Sequence, residues 1–298
     1  MNGSEFPMKL VKSGLWASIV LATGFASAAN AGLVVTTTNS ATTLANNIAG
    51  GGVTISNMTY TGAAAASGTF TGGLSSGIGI DTGIVLTTGT AQGAVGPNQN
   101  VPDPAGTGGD QSTNNGVAGD ANLTTIAGGN TFDASVLEFD FTFTGGNGGD
   151  LFFNFVFGSE EYLEYVGSAY NDVFAFFLDG VNVAKVPSTN TPVAINTVNN
   201  TTNSAYFVNN SPAVGPAPYN VEYDGFTKVI GVTALNLSAG SHHMKFAVAD
   251  TADSILDSGV FIQGSSFSDQ PTPTVPEPAS LALIGAGLAA LGMRRKQK

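Results

Sequence analysis

Hydrophobic and polar positions alternate with a period of two through the middle of this chain. From Val136 to Phe143, Leu137, Phe139, Phe141 and Phe143 alternate with Glu138, Asp140 and Thr142, the pattern of a strand with one buried and one wet face. Leu151 to Phe157 is aromatic on one face and partly so on the other. Asp172 to Leu178 is apolar on both faces, which predicts a strand covered on both sides. Shorter runs bounded by Gly and Asn predict strands at Val53–Tyr60, Gly68–Thr71, Gly83–Thr88, Val181–Val186, Val193–Val198, Phe226–Leu235, His243–Ala249 and Ser258–Phe267. Helical periodicity is scarce: one early helix is expected over Thr42–Ala49, with Ser40 as N-cap and Gly50-Gly51 as the stop. About ten short strands separated by turn signals predict an all-β fold, a jelly-roll-like β-sandwich with long Gly/Asn-rich loops. The longest loop, Ala91 to Asn130, carries Asp103, Asp110 and Asp120. Those carboxylates either serve a cation or solvate the loop.

Both ends break the pattern. Met1 to Pro7 contains Gly3-Ser4-Glu5-Phe6, which reads as a translated cloning linker, so residues 1–7 are set apart from the fold. From Met8, Lys9 and Lys12 form a positive segment, and Leu15 to Phe25 an apolar one. The small-residue triplets Ala26-Ser27-Ala28 and Ala29-Asn30-Ala31 follow. This is the build of a secretory signal peptide over residues 8–31, with cleavage expected after Ala31 and recognition at Ala29 and Ala31. The β-sandwich then occupies residues 32–268, and Asp269 to Thr274, with Pro271 and Pro273, is a linker. Beyond it Val275-Pro276-Glu277-Pro278 forms an extended elbow, because neither proline can continue a helix or donate to a sheet. Leu281 to Met293 is an uncharged apolar segment, a short hydrophobic helix below the roughly 20 residues that a stable transmembrane helix wants. Arg294, Arg295, Lys296 and Lys298 form a basic end that stays cytoplasmic by the positive-inside rule. The expected arrangement is a transient hold on the inner membrane.

Charge separates body from ends. Of nine basic residues only Lys185, Lys228 and Lys245 fall between Gly32 and Thr274, against nineteen of the twenty-one acids, which leaves that span at minus sixteen. A body so acidic repels nucleic acid and anionic membrane surfaces and attracts cations. There is no cysteine, so neither a disulfide nor a lipid-modified thiol is available, and stability rests on core burial or on metal.

Two acidic stretches stand out. In the first, Glu160, Glu161 and Glu164 precede Asn171 and Asp172, between two predicted strands. In the second, Asp250, Asp253 and Asp257 lie between two more. Their oxygens suit Ca²⁺, a hard cation plentiful outside cells, although the spacing is not that of an EF-hand. The alternative is a solvated acidic turn or side-chain caps on loop backbone. Gly73-Leu74-Ser75-Ser76-Gly77 matches the serine-hydrolase pattern G-x-S-x-G without the strand and helix context it needs. His242 and His243 are adjacent, which does not suggest a catalytic zinc site. A glycosidase needs two carboxylates, and Glu160, Glu161 or Glu164 with Asp172 could supply them. No catalytic residue is assigned.

Two resemblances follow from these residues. Val275 to Lys298 resembles the PEP-CTERM sorting signal of Gram-negative bacteria in its elbow, apolar segment and basic tail, in order. That resemblance implies processing near Pro-Glu-Pro by a membrane protease, exosortase. Val156–Tyr162, Asn171–Leu178, Val193–Asn199, Tyr223–Thr227, Ala249–Ser254 and, upstream, Gly79–Leu86 resemble the choice-of-anchor L domain. Leu163 departs from it where a proline is expected. Together they imply an exported, exosortase-sorted cell-surface or extracellular-matrix protein that is not an enzyme. It is expected to be structural or adhesive in biofilm or floc formation, with exopolysaccharide. The expected partners are exosortase, the export machinery, extracellular polysaccharide and neighbouring cell surfaces, with no nucleic acid, and Ca²⁺ is the expected cofactor. One alternative is a carbohydrate-binding module, for which Tyr and Phe must do the stacking because Trp16 lies in the leader. The other is a secreted hydrolase, an esterase or glycosidase.

Overall fold

The computed structural model describes residues 32–98, 111–212 and 216–272. The signal-peptide residues with Ala29 and Ala31, the C-terminal hydrophobic helix, Asp103 and Asp110 lie outside them, as do Val275, Pro276, Glu277, Pro278, Arg294 and Arg295. Two antiparallel sheets make up the described residues. The first runs β1 (Val34–Thr37), β3 (Ser67–Thr71), β4 (Gly83–Thr87), β13 (Ser258–Gln263), β6 (Gly149–Ser159), β10 (Gly225–Thr227) and β9 (Phe207–Asn209). β11 (Ile230–Leu237) pairs with the opening half of β6, Ile230 opposite Phe155. The second sheet runs β2 (Val53–Thr61), β5 (Thr131–Phe143), β12 (His242–Thr251), β7 (Val173–Leu178) and β8 (Val181–Asn182).

The alternation read from the sequence decides how the sheets face. Leu137, Phe139, Phe141 and Phe143 of β5 point to the same core as Phe153, Phe155 and Phe157 of β6. Phe174 and Phe176 of β7 and Phe246 of β12 close it from the second sheet. Phe174 stacks on Phe157 with ring centroids 4.7 Å apart, and Phe153 meets Phe246 edge to face at 5.4 Å. Burying such rings contributes on the order of 2–3 kcal/mol each. The outer faces are covered too. Helix α3 (Ala121–Ala127) sets Leu123 against Val173, Ala175 and Phe177, so β7 is apolar on both faces because it is buried on both. On the first sheet Val85, Val156 and Phe261 are covered by Ile78, Val221 and Tyr223. The architecture is an all-β sandwich with covered outer faces.

Helix α1 (Ala41–Ile48) starts as expected, the Ser40 side chain accepting from the Thr43 N–H, and packs Leu44, Ala45 and Ile48 into the central core. Several expected strands differ. Val193–Val198 is not a strand. Its apolar residues are buried, but the Val198 N–H bonds back to the Ala194 carbonyl and folds the segment into a turn. Phe226–Leu235 divides into β10 and β11, and Val181–Val186 keeps only β8, where the Asn182 side chain accepts the Ala184 N–H and bends the chain. The strand from Ser258 ends at Gln263, and beyond it Phe267 makes only an isolated bridge with Ala49. β1, β9 and α3 were not expected. α3 arises inside the long polar loop because the Asp120 side chain caps the Asn122 and Leu123 N–H groups. With one buried residue it has no periodicity to read.

Candidate functional site

Two crossovers between the sheets meet at one end of the sandwich. From β6 the chain crosses to β7 through residues 160–172, and from β12 it returns to β13 through 252–257. Ser159 pairs with Ser258, and the Glu160 N–H donates to the Asp257 carbonyl at 3.1 Å. The two acidic stretches, remote in sequence, therefore converge. The Asp172 N–H donates to Glu161 Oε2 at 3.2 Å, and Asp172 Oδ1 accepts the Thr251 N–H at 2.9 Å. Asp257 Oδ1 accepts the Thr113 N–H at 2.9 Å.

Each carboxylate is turned inward. Glu160, Glu161, Asp172, Asp250 and Asp257 are all at most 3% exposed. Glu161 Oε1, Asp172 Oδ2, both oxygens of Asp250 and Asp257 Oδ2 have no donor at hydrogen-bonding distance, and neither do the hydroxyls of Thr251 and Ser258. The described ion pairs lie elsewhere, since Lys245 Nζ is bonded to Asp120 at 2.6 Å. Burial first, and then neighbouring negative charge, pushes the carboxyls upward. Glu161 is raised by burial and by Asp172. Asp172 is raised by burial and by Asp253, with the Ser258 hydroxyl pulling it back. Asp250 is raised by burial, Asp172 and Asp257, against the Thr88 hydroxyl. Burial lifts Asp257 to about 6. Desolvated carboxylates without partners are costly. Among the described residues no three acidic or histidine side chains stand in a ready-made chelating arrangement. The oxygens crowd one another, but their present rotamers do not form a closed cage.

The expected ligands thus divide. Glu160, Glu161, Asp172, Asp250 and Asp257 come together at the crossover. Asp253 is half-buried and accepts the Ile255 N–H at 3.4 Å. Glu164 is exposed. Asn171 braces the turn, its Oδ1 accepting the Asn196 N–H at 2.9 Å. The peptide bond before Leu163 is cis. Asp120 is a helix cap and Lys245 partner. Asp133 was not anticipated. It sits at a β5 bulge, where Val248 faces Ser135 but Asp250 faces Phe132, with a left-handed φ of 47°. The bulge turns its carboxylate onto the Asn115 and Val117 N–H groups, 2.9 and 2.8 Å away. Only the ladder reveals that bulge, because Asp133 precedes the alternating run.

The serine motif is a single helical turn, α2 (Gly73–Ser76), with Gly72 and Gly77 both left-handed at its caps. Ser75 lies inside the turn, its hydroxyl donating to the Gly72 carbonyl at 2.8 Å. His242 and His243 open β12 on the other sheet and face Asp179 and Asp140 at 2.7 and 2.9 Å.

The family profile of the choice-of-anchor L domain matches residues 14–268, and that of the PEP-CTERM protein-sorting motif matches residues 274–296. No curated protein and no solved structure matches the chain. The motif marks an exported protein sorted to the cell surface through exosortase. With its first match covering most of the sequence and spanning both sheets and both acidic crossovers, the chain belongs to the choice-of-anchor L domain family.

Proposed function

We propose that this protein is a non-catalytic structural or adhesive component of the extracellular matrix of a Gram-negative bacterium, acting in biofilm or floc formation alongside exopolysaccharide. The observation that carries the reading is the order of modules: one large β-sandwich domain is followed directly by a sorting motif at 274–296. The tail holds the protein briefly in the inner membrane until exosortase acts, and the acidic sandwich is then the part presented outside. Its polar Thr-, Asn- and Gly-rich loops suit hydrated glycan better than a lipid surface. Catalysis finds little support. Ser75 has no histidine on its own sheet, and the carboxylates nearest to a glycosidase pair, Glu161 and Asp172, are buried and accept the Asp172 and Thr251 N–H groups.

Deletion of residues 275–298 tests the address. The truncated protein is expected in the culture medium, whereas the full chain stays with the cells or matrix. Cell aggregation and pellicle strength should fall in the truncated strain. Unchanged retention would remove the support for sorting, and normal aggregation in a strain lacking the protein would remove the matrix role.

A further inference from the structure

The geometry points to a calcium site between the two crossovers, held by Glu161, Asp172, Asp250 and Asp257 with the hydroxyls of Thr251 and Ser258. This inference is independent of the matrix role and concerns what holds the domain together. Acidity alone would not carry it. The deciding observation is Asp250, fully buried near the end of β12 with no donor at hydrogen-bonding distance of either carboxylate oxygen, and with Asp172 and Asp257 close enough to act on its charge. Asp172, also fully buried, commits Oδ1 to the Thr251 N–H and leaves Oδ2 open. Glu161 does likewise, Oε2 on the Asp172 N–H and Oε1 open, and so does Asp257, Oδ1 on the Thr113 N–H and Oδ2 open. In each of these three the bonded oxygen fixes the side chain and the other is left for a ligand.

The donor chemistry selects the ion. All candidate ligands are oxygens, with no histidine or cysteine among them, which disfavours zinc. Five open carboxylate oxygens and two hydroxyls approach the six to eight that Ca²⁺ takes at about 2.3–2.6 Å in irregular geometry. Mg²⁺ demands a near-ideal octahedron and keeps waters, for which this uneven set of protein oxygens is poorly suited. Asp257 takes its place because residue 89 is glycine: a Cβ there would collide with the Asp257 carboxylate. Because Glu161 and Asp172 lie on one crossover and Asp250 and Asp257 flank the other, the ion would tie both inter-sheet connections at a single point. Closing the cage requires the open oxygens to turn inward onto the ion, since no three acidic side chains among the described residues stand in a chelating arrangement without it.

The test uses the full chain, stripped with EDTA and dialysed into metal-free buffer at pH 7.5. Thermal melts are recorded with EDTA, with excess Ca²⁺ and with excess Mg²⁺, and terbium luminescence is read as a direct probe of the site. Ca²⁺ at a hundredfold excess over Kd is expected to raise Tm by roughly 5–10 °C, with Mg²⁺ well behind and terbium emission quenched by Ca²⁺. Asp250→Asn and Asp172→Asn should lose both the shift and the emission. In EDTA they should melt at or above the unsubstituted chain, because each removes a buried carboxyl that must either stay charged without a partner or take up a proton on folding. That second readout keeps the test meaningful if calcium merely failed to rescue a misfolded variant. Glu164→Gln, on the same crossover but exposed, should keep the full response. Equal melting in EDTA and Ca²⁺ without terbium emission overturns the site. An equal response to Mg²⁺, or a Ca²⁺ response that survives Asp250→Asn and Asp172→Asn, overturns it too.

Discussion

At the scale of single residues, partners decide charge. His242 is nearly buried against Phe141, with ring centroids 5.3 Å apart. Its Nδ1 faces Asp179 Oδ2 at 2.7 Å and its Nε2 faces the Ser238 carbonyl at 3.0 Å. Both partners are acceptors, so both ring nitrogens must donate, and that requires the imidazolium. Burial works against the charge, but the Asp179 and Ser238 hydrogen bonds outweigh it and raise the histidine above its ordinary value. Asp179→Asn is therefore expected to lower the His242 pKa, read by NMR titration of the ring protons. An unchanged titration would mean that the carboxylate does not hold the proton. The adjacency of the two histidines was plain in the sequence, but their roles were not, because Asp179 lies 63 residues away and is delivered by the turn after β7.

At the scale of elements, α3 shows how one short helix depends on two interactions. Asp120 accepts the Asn122 and Leu123 N–H groups through Oδ1 and binds Lys245 through Oδ2. Lys245 also bonds Asn122 and lies 5.7 Å from the Phe177 ring centre. The lysine projects from β12 among apolar residues, so it needs that carboxylate. Asp120→Ala removes cap and counter-charge together and is expected to cost about 1–3 kcal/mol in urea unfolding. Asp120→Asn keeps the cap and should lose less. Equal losses for the two would assign the whole effect to the ion pair. The strand pattern was legible where alternation was strict, as in β5, or where both faces were apolar, as in β7. It failed at Val193–Val198, where apolar residues reach the core from turns, since burial there is achieved by loop packing and leaves no period.

At the scale of the molecule, the buried carboxylates make stability depend jointly on pH and cation. Asp257, Asp250, Asp172 and Glu161 all carry raised values in the folded state, and so does the half-buried Asp253. They face Asp133, Glu160, Tyr223 and one another across the crossovers. A carboxyl raised on folding stabilises the native state while it is protonated. Its contribution is fully present below the unfolded carboxylate range, near pH 4, and is lost as pH rises through the folded value, about 6 for Asp257 and higher for Glu161. The histidines act in the same direction around and above pH 6.5, while Asp140 and Asp179, lowered on folding, lose their contribution only as pH falls below about 4. Without metal, Tm should therefore peak near pH 4–5 and decline toward pH 8. Ca²⁺ binds the deprotonated form, so its affinity rises with pH and its stabilisation should be greatest where the metal-free protein is weakest. Melting curves from pH 4 to 8, with EDTA and with Ca²⁺, check this, and parallel profiles would contradict it.

The sequence by itself determined the strand-forming stretches, the sandwich class, the acidic body and the address carried at its end. These depend on local periodicity and on composition, which each segment carries alone. Tertiary structure decided which acids meet. Glu161 and Asp250 are 89 positions apart and come together only because two crossovers leave the sheets at the same end. Asp133 joins their surroundings through a bulge that only strand pairing reveals. Burial then sorted residues that looked alike along the chain, leaving Glu164 in solvent while Glu161, three positions earlier, was sealed inside. Desolvation, a property of the folded surroundings, distinguishes them.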